Sequence, residues 1–310
     1  MKRIVTILAV TVAAALNNSA AFAQASRTFV SGQGADSGTC ALGAPCRSFA
    51  YAIGQTATGG EIAVLNTAGY GTVTINTAIS IVNQDGVEAG ITVASGVGVT
   101  VAAGANDVVK LGGLIMTGGG AGSGGITFTS GKTLNIQNCI VRGFTQTGID
   151  LIPSTVGAVV NISDTIISNN NGDGIAFAPG ASGGAYFQRV QALGNGNDGF
   201  DISGFGGAPL GSSIEATVAD SVASGNGTGF RTASAVTVPT ANLTVTNSKA
   251  ANNATGLMAQ GGTINIALTT LSGNTQGFST SSGNGTILSF HNNNIVDTNN
   301  SGSLGTIGVQ

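Results

Sequence analysis

From Ile136 to the C-terminus the chain repeats one short pattern seven times, and that repetition limits the possible folds more than any single residue does. Each unit has an apolar residue followed, three positions later, by a mostly small or polar one. The pairs are Ile136/Cys139, Ile162/Thr165, Phe187/Val190, Val218/Ser221, Val245/Ser248, Ile266/Thr269 and Phe290/Asn293. In the first six units a Gly and a large apolar residue follow, from Gly148-Ile149 to Gly277-Phe278. Successive units are 26, 25, 31, 27, 21 and 24 residues apart. A near-constant period of this size predicts a solenoid, in which each coil buries its apolar face by stacking on its neighbours. Short alternating strands such as Val73-Thr74-Ile75 and Val99-Thr100-Val101, bounded by turn residues, extend the pattern back to Glu61. The expectation is an all-β parallel solenoid of roughly ten coils.

The N-terminus has a different grammar. Lys2 and Arg3 precede an apolar run, Ile4 to Ala15, and an Ala21-Phe22-Ala23 cleavage triplet. Residues 1–23 therefore read as a secretory signal peptide, with a run too short to span a bilayer. The mature chain of about 287 residues is expected to be exported, to the periplasm or outside the cell, with no membrane span. Residues 24–60 read as a cap on the open end of the solenoid, with 61–310 as the solenoid itself. Within the cap, Arg47 to Thr56 places Phe49, Ala52 and Ile53 on one face of a short helix.

Charge is sparse, at 7% of residues. Without Lys2 and Arg3 the 10 basic residues become 8, against 13 acidic, a balance of −5. No basic patch is available for a phosphate backbone, so nucleic acid is not an expected partner. Gly reaches 51 of 310 residues, yet 42% are hydrophobic and recur in register, which marks a folded chain. Cys40 and Cys46 have five residues between them in a loop of an exported protein, and a disulfide is the leading reading. Metal binding is the weaker alternative, since no His or second Cys pair is nearby. Cys139 stands in the column of Thr165, Val190 and Ser221 and reads as a buried, inert thiol.

Period-two alternation assigns faces to the clear coils. The residue after each repeat Gly points inward with the one two further on, as in Ile175/Phe177 and Phe200/Ile202, and the residue between them points out. The outward column reads Asp150, Ala176, Asp201, Arg231, Met258, Ser279, and the column before each Gly reads Thr147, Asp173, Asp198, Thr228, Thr255, Gln276. A second polar column runs Asn138, Asp164, Arg189, Asp220, Asn247. Asn171, Asn195, Asn226, Asn253 and Asn274 collect before the repeat glycines and suit a stacked ladder at a turn.

The "G-apolar-x-apolar" strands with "apolar-x-x-N/S/T-x-apolar" segments resemble the right-handed parallel β-helix of the pectin-lyase-like superfamily. Ala44-Pro45-Cys46-Arg47-Ser48-Phe49 through Gly59-Gly60-Glu61-Ile62 looks like the capped start of uncharacterised secreted bacterial members. In enzymes of that superfamily, catalysis lies on an outward strand face beside a groove. The resemblance makes Asp173, Asp198, Asp201 and Arg231 the catalytic candidates, with Ca²⁺ as a cofactor only under that reading. Asp198-Gly199-Phe200-Asp201-Ile202 is similar to the "D-G-x-x-D-I" strand of pectate lyases but one residue shorter, which is expected to send the second Asp to the opposite face. The paired Asp-Asp, His-Gly and Arg-x-Lys of polygalacturonases are missing, and the chain has no Trp.

The preferred reading is an exported, non-catalytic β-helix with a surface, matrix or glycan-contacting role, bound to a polysaccharide or cell-surface glycan and needing no cofactor or metal. The alternative is a lyase or glycoside hydrolase acting on an acidic glycan. An ice-binding array would need unbroken Thr columns, and these are interrupted. The expected site geometry has Asp201 paired with Arg231, Asp173 and Asp198 hydrated at a turn, and no deep cleft.

Overall fold

The computed structural model describes residues 24–83, 86–235, 237–280 and 285–308. The expected signal peptide lies outside them. Three sheets of twelve, nine and ten strands run along the molecule, and their strands pair in parallel with those one coil away. The third sheet contributes one strand from each of ten coils. Alternating burial along strands such as Ala241–Thr246 follows from the period-two pattern. Among the described residues no helix is long and apolar enough to cross a membrane.

Inside, like residues stack on like. Ile126, Ile149, Ile175, Phe200, Phe230, Leu257 and Phe278 form one inward column in direct register. The Phe200 and Phe230 rings stack with centroids 5.1 Å apart. The repeat Gly beside this column has a steric cause. A Cβ on Gly174 would lie 2.8 Å from the Gly199 carbonyl oxygen, and one on Gly199 would lie 2.8 Å from that of Gly229. Each coil thus rests on the bare backbone of its neighbour, and only Gly allows that approach.

Two turns hold the sheets at their angles. Between the first and third sheets the chain passes through left-handed backbone at Asn138, Asp164, Arg189, Asp220 and Asn247, with φ of 53, 51, 52, 53 and 45°. Asn and Asp tolerate that region best, which accounts for their number in this column. The next residue points inward. The Ser221 hydroxyl accepts from the Val190 N–H at 3.0 Å and donates to the Ala219 carbonyl at 2.7 Å. The small column is therefore largely a hydroxyl ladder. On its outer side, Arg189 grips Asp164 through two hydrogen bonds of 2.6 and 2.8 Å. This pair is exposed and worth little.

Between the third and second sheets runs a buried asparagine ladder. Asn170 Nδ2 donates to Asn195 Oδ1 at 2.9 Å, Asn195 to Asn226 at 3.0 Å, Asn226 to Asn253 at 3.1 Å, and Asn253 to Asn274 at 3.0 Å. The member in the lowest of these coils is Asn170, not Asn171, which is exposed. His291 is exposed at a left-handed position, with φ of 64°.

At the N-terminal end, strand Ala25–Val30 forms the edge of the twelve-stranded sheet beside Thr56–Val64, which begins before Glu61. Helix Phe49–Gln55 is capped by Ser48, whose hydroxyl accepts from the Tyr51 N–H, and it buries Phe49 and Ala52. Cys40 and Cys46 form a disulfide with Cα atoms 4.8 Å apart. Cys139 is buried and free, and burial pushes its thiol up to about 11. A thiol reagent at pH 8 is expected to leave the native protein unlabelled and to label only Cys139 after unfolding without reductant. Mass spectrometry of the two samples checks this, and rapid native labelling would show the assignment to be wrong.

Candidate functional site

The four sequence candidates come together on the outer face of the nine-stranded sheet. Strand Asp198–Ser203 lies beside Thr228–Ala233, with Asp201 directly opposite Arg231. The column Asp150, Ala176, Asp201, Arg231, Met258, Ser279 is in register from coil to coil. Asp173 precedes strand Ile175–Phe177, one coil away, and its Oδ1 accepts from the Asp198 N–H at 3.1 Å.

Arg231 is the centre of the cluster. Its Nε and Nη2 donate to Gln260 Oε1 at 3.0 and 2.8 Å, and its Nη1 donates to Asp198 Oδ2 at 3.2 Å. The same Nη1 lies 3.3 Å from Asp201 Oδ1. That contact has the distance of an ion pair but not the direction of a hydrogen bond, so Asp201 Oδ1 is buried without a hydrogen-bond partner. Asp201 is thus close to Arg231 as expected, while the hydrogen bond goes to Asp198.

Two expectations are corrected. Asp198 is not hydrated at a turn but is the buried first residue of its strand, 7% exposed. Nor do Asp198 and Asp201 lie on opposite faces, since both approach one guanidinium nitrogen. Strict alternation would aim Asp198 inward with Phe200. It fails because Asp198, Gly199 and Phe200 are buried in succession, where Gly199 packs on the Gly229 carbonyl.

Burial dominates the electrostatics. It pushes the Asp201 carboxyl up to about 7, against the pull of Arg231 and with the help of Asp198 and Asp173. Burial also raises Asp198 and, together with Asp173, Asp150. Asp173, Asp198, Arg231, Met258 and Gln260 line an open depression of ≈ 410 Å³. Gln260 was absent from the sequence candidates. Extending the alternation one step past Met258 would have placed it on the outward face.

A Ca²⁺ ion needs six to eight oxygen ligands. Here Arg231 already holds the space between Asp198 and Asp201. Among the described residues no three His, Cys, Asp or Glu side chains are placed to hold a metal ion. The donor set does not fit calcium.

No family model matches the chain, and no curated protein matches it. Among solved structures it is similar to a pectate lyase, Pel9A, at TM-score 0.65 and 18% identity, covering 91% of this chain and 78% of that one. It is also similar to a rhamnogalacturonan lyase, at TM-score 0.57 and 14% identity, covering 92% and 85%. The chain has the pectin-lyase-like fold. With three parallel sheets it is a right-handed parallel β-helix of that type. At such identities the likeness extends to the fold and not to the chemistry of a site.

Proposed function

We propose that the protein is an exported, polysaccharide-contacting β-helix that holds a glycan at the Asp173/Asp198/Arg231/Gln260 depression without cleaving it. The observation that carries this reading is the engagement of Arg231. Its Nε and Nη2 donate to Gln260 and its Nη1 to Asp198, so the guanidinium is tied down on the sheet face by its own neighbours rather than held out towards a substrate. Carboxylate and amide oxygens at the rim remain suitable acceptors for sugar hydroxyls. Acidic groups outnumber basic ones around the depression, with Asp150, Asp173, Asp198 and Asp201 against Arg231, so a neutral glycan is favoured over a polyuronate. The Cys40–Cys46 disulfide supports an extracellular or periplasmic location.

One observation favours a hydrolytic reading. Asp201 is buried, its carboxyl is raised to about 7, and its Oδ1 has no hydrogen-bond partner. A carboxyl of that kind can serve as a general acid near neutral pH. Binding and cleavage therefore have to be measured apart. The mature protein is expected to be retarded in gels containing neutral mixed-linkage β-glucan more than in gels containing polygalacturonate, and to release no new reducing ends from either. Asp198→Asn is expected to weaken the retardation about tenfold or more. Cleavage of either polymer that disappears in Asp201→Asn while retardation survives would make this an enzyme.

A further inference from the structure

We infer that the outer face of the twelve-stranded sheet carries a second glycan-binding site, a notch over Gly184 between Tyr186, Val159 and Glu215. It lies on a different sheet from the Asp198/Arg231 depression and does not depend on that site. Strand Gly183–Gln188 runs between Ala158–Ser163 and Ile214–Ala219. Gly184 stands opposite Val159 on one side and Glu215 on the other, and Tyr186 stands opposite Asn161 and Thr217. Adjacent strands are about 4.8 Å apart and residues two apart share a face, so these side chains surround the bare Gly184 backbone. Tyr186, Val159 and Glu215 are all exposed.

Gly184 has no structural need to be glycine. The repeat glycines are required by close backbone contact, but here a Cβ would meet only the Glu215 carbonyl oxygen, at 3.9 Å, and the residue sits within a strand. A side chain would fit the fold better, since Gly weakens a strand interior. A glycine that the backbone does not need marks a place where something else approaches the sheet closely.

The walls of the notch suit a sugar ring. Tyr186 offers an aromatic face with a polar tip, and Val159 adds apolar surface beside it. Glu215 is held in place, because its Oε1 accepts from Ser213 Oγ at 3.1 Å and from Asn242 Nδ2 at 2.9 Å. The face opens into a hollow on either side. Glu215 lines one of ≈ 470 Å³ with Leu210, Ser213, Pro239 and Asn242. Asn161 lines the other, of ≈ 340 Å³, with Lys110, Asn135, Gln137 and Ser163, and its Nδ2 donates to Asn135 Oδ1 at 3.0 Å. Amide groups both donate and accept, as sugar hydroxyls do. Across the six strands from Val108–Gly112 to Ala241–Thr246, the outward positions carry one cation, Lys110, and one anion, Glu215. A strip of balanced charge, rich in amides and hydroxyls, fits an uncharged glycan running from coil to coil and not a polyanion.

The chain has no Trp, so Tyr186→Trp makes a single-tryptophan reporter on this face. Its indole emission is expected to change saturably on titration with mixed-linkage β-glucan, equally well when Asp198→Asn is added, and to ignore polygalacturonate. Tyr186→Ala should weaken the gel retardation that remains in the Asp198→Asn protein about tenfold or more. Gly184→Val, which fills the notch, should do the same, and neither change should lower the unfolding midpoint. Emission that ignores saturating β-glucan, or a response that vanishes with Asp198→Asn, would overturn the second site and leave the depression on the nine-stranded sheet as it stands. So would Tyr186→Ala protein retarded as strongly as its Asp198→Asn parent, and a response to polygalacturonate would overturn the ligand class. If Asp198→Asn leaves retardation unchanged while Tyr186→Ala abolishes it, the depression is the site that fails and the notch stands.

Discussion

Replacing Asn226 by Ala is expected to destabilise the protein by roughly 3 kcal/mol or more, although the side chain touches no solvent and no candidate site. Its Oδ1 accepts from both the backbone N–H and the Nδ2 of Asn195, at 2.9 and 3.0 Å. Its Nδ2 donates to the Ala192 carbonyl and to Asn253 Oδ1, at 3.0 and 3.1 Å. Truncation leaves the Asn195 N–H without an acceptor in a site that is 4% exposed. An orphaned buried donor costs far more than a hydrogen bond contributes, because its hydration is lost and not replaced. Asn171→Ala is the control, since Asn171 lies one residue past the ladder and is exposed. It should change stability by no more than about 0.5 kcal/mol. Urea midpoints of the two variants decide the matter, and equal midpoints would refute the ladder as a stabilising element. Because a solenoid is held by nearest-neighbour interfaces, hydrogen exchange in the Asn226 variant should rise first in the coils on either side.

Much of this architecture was legible in the sequence, for a physical reason. A repeat whose coils rest on one another's backbone must place Gly at every contact, and inward positions must alternate with outward ones. The column from Asp150 to Ser279 could therefore be written down, and the structure keeps its register. The failures lie at the turns and strand starts, where strict alternation does not hold. Asn169-Asn170-Asn171 offers three asparagines, and the ladder sits three residues before the repeat Gly in some coils and four in others. Spacing alone could not choose among them. Likewise, alternation placed Asp198 and Asp201 on opposite faces, whereas Asp198, Gly199 and Phe200 are buried in succession and both carboxylates approach Arg231.

The same cluster should give the protein an unusual dependence on pH, with stability falling as pH rises from 5 to 8. The Asp201 carboxyl is raised to about 7 in the folded protein, chiefly by burial, whereas an unfolded Asp titrates near 3.9. Between those values the native state keeps a proton that the unfolded state has released, and stability then declines with rising pH. The loss from pH 5 to pH 8 should be roughly 2 kcal/mol, and Asp198 and Asp150, also raised by burial, act in the same direction. Asp164 and Asp220 do not offset it. Their carboxyls are lowered, by Arg189 and by Asn247, so their contribution is lost only as pH falls below the ordinary carboxylate range. Two variants separate the causes. Asp201→Asn removes the titrating group and should flatten the slope. Arg231→Met removes the cation and leaves buried carboxylates uncompensated, which should cost roughly 3 kcal/mol at pH 8 and much less at pH 5, where Asp201 is protonated. Urea unfolding of the three proteins at both pH values tests this. A wild type more stable at pH 8, or an Arg231→Met variant equally impaired at both, would mean that Asp201 is not the buried, proton-holding group described above.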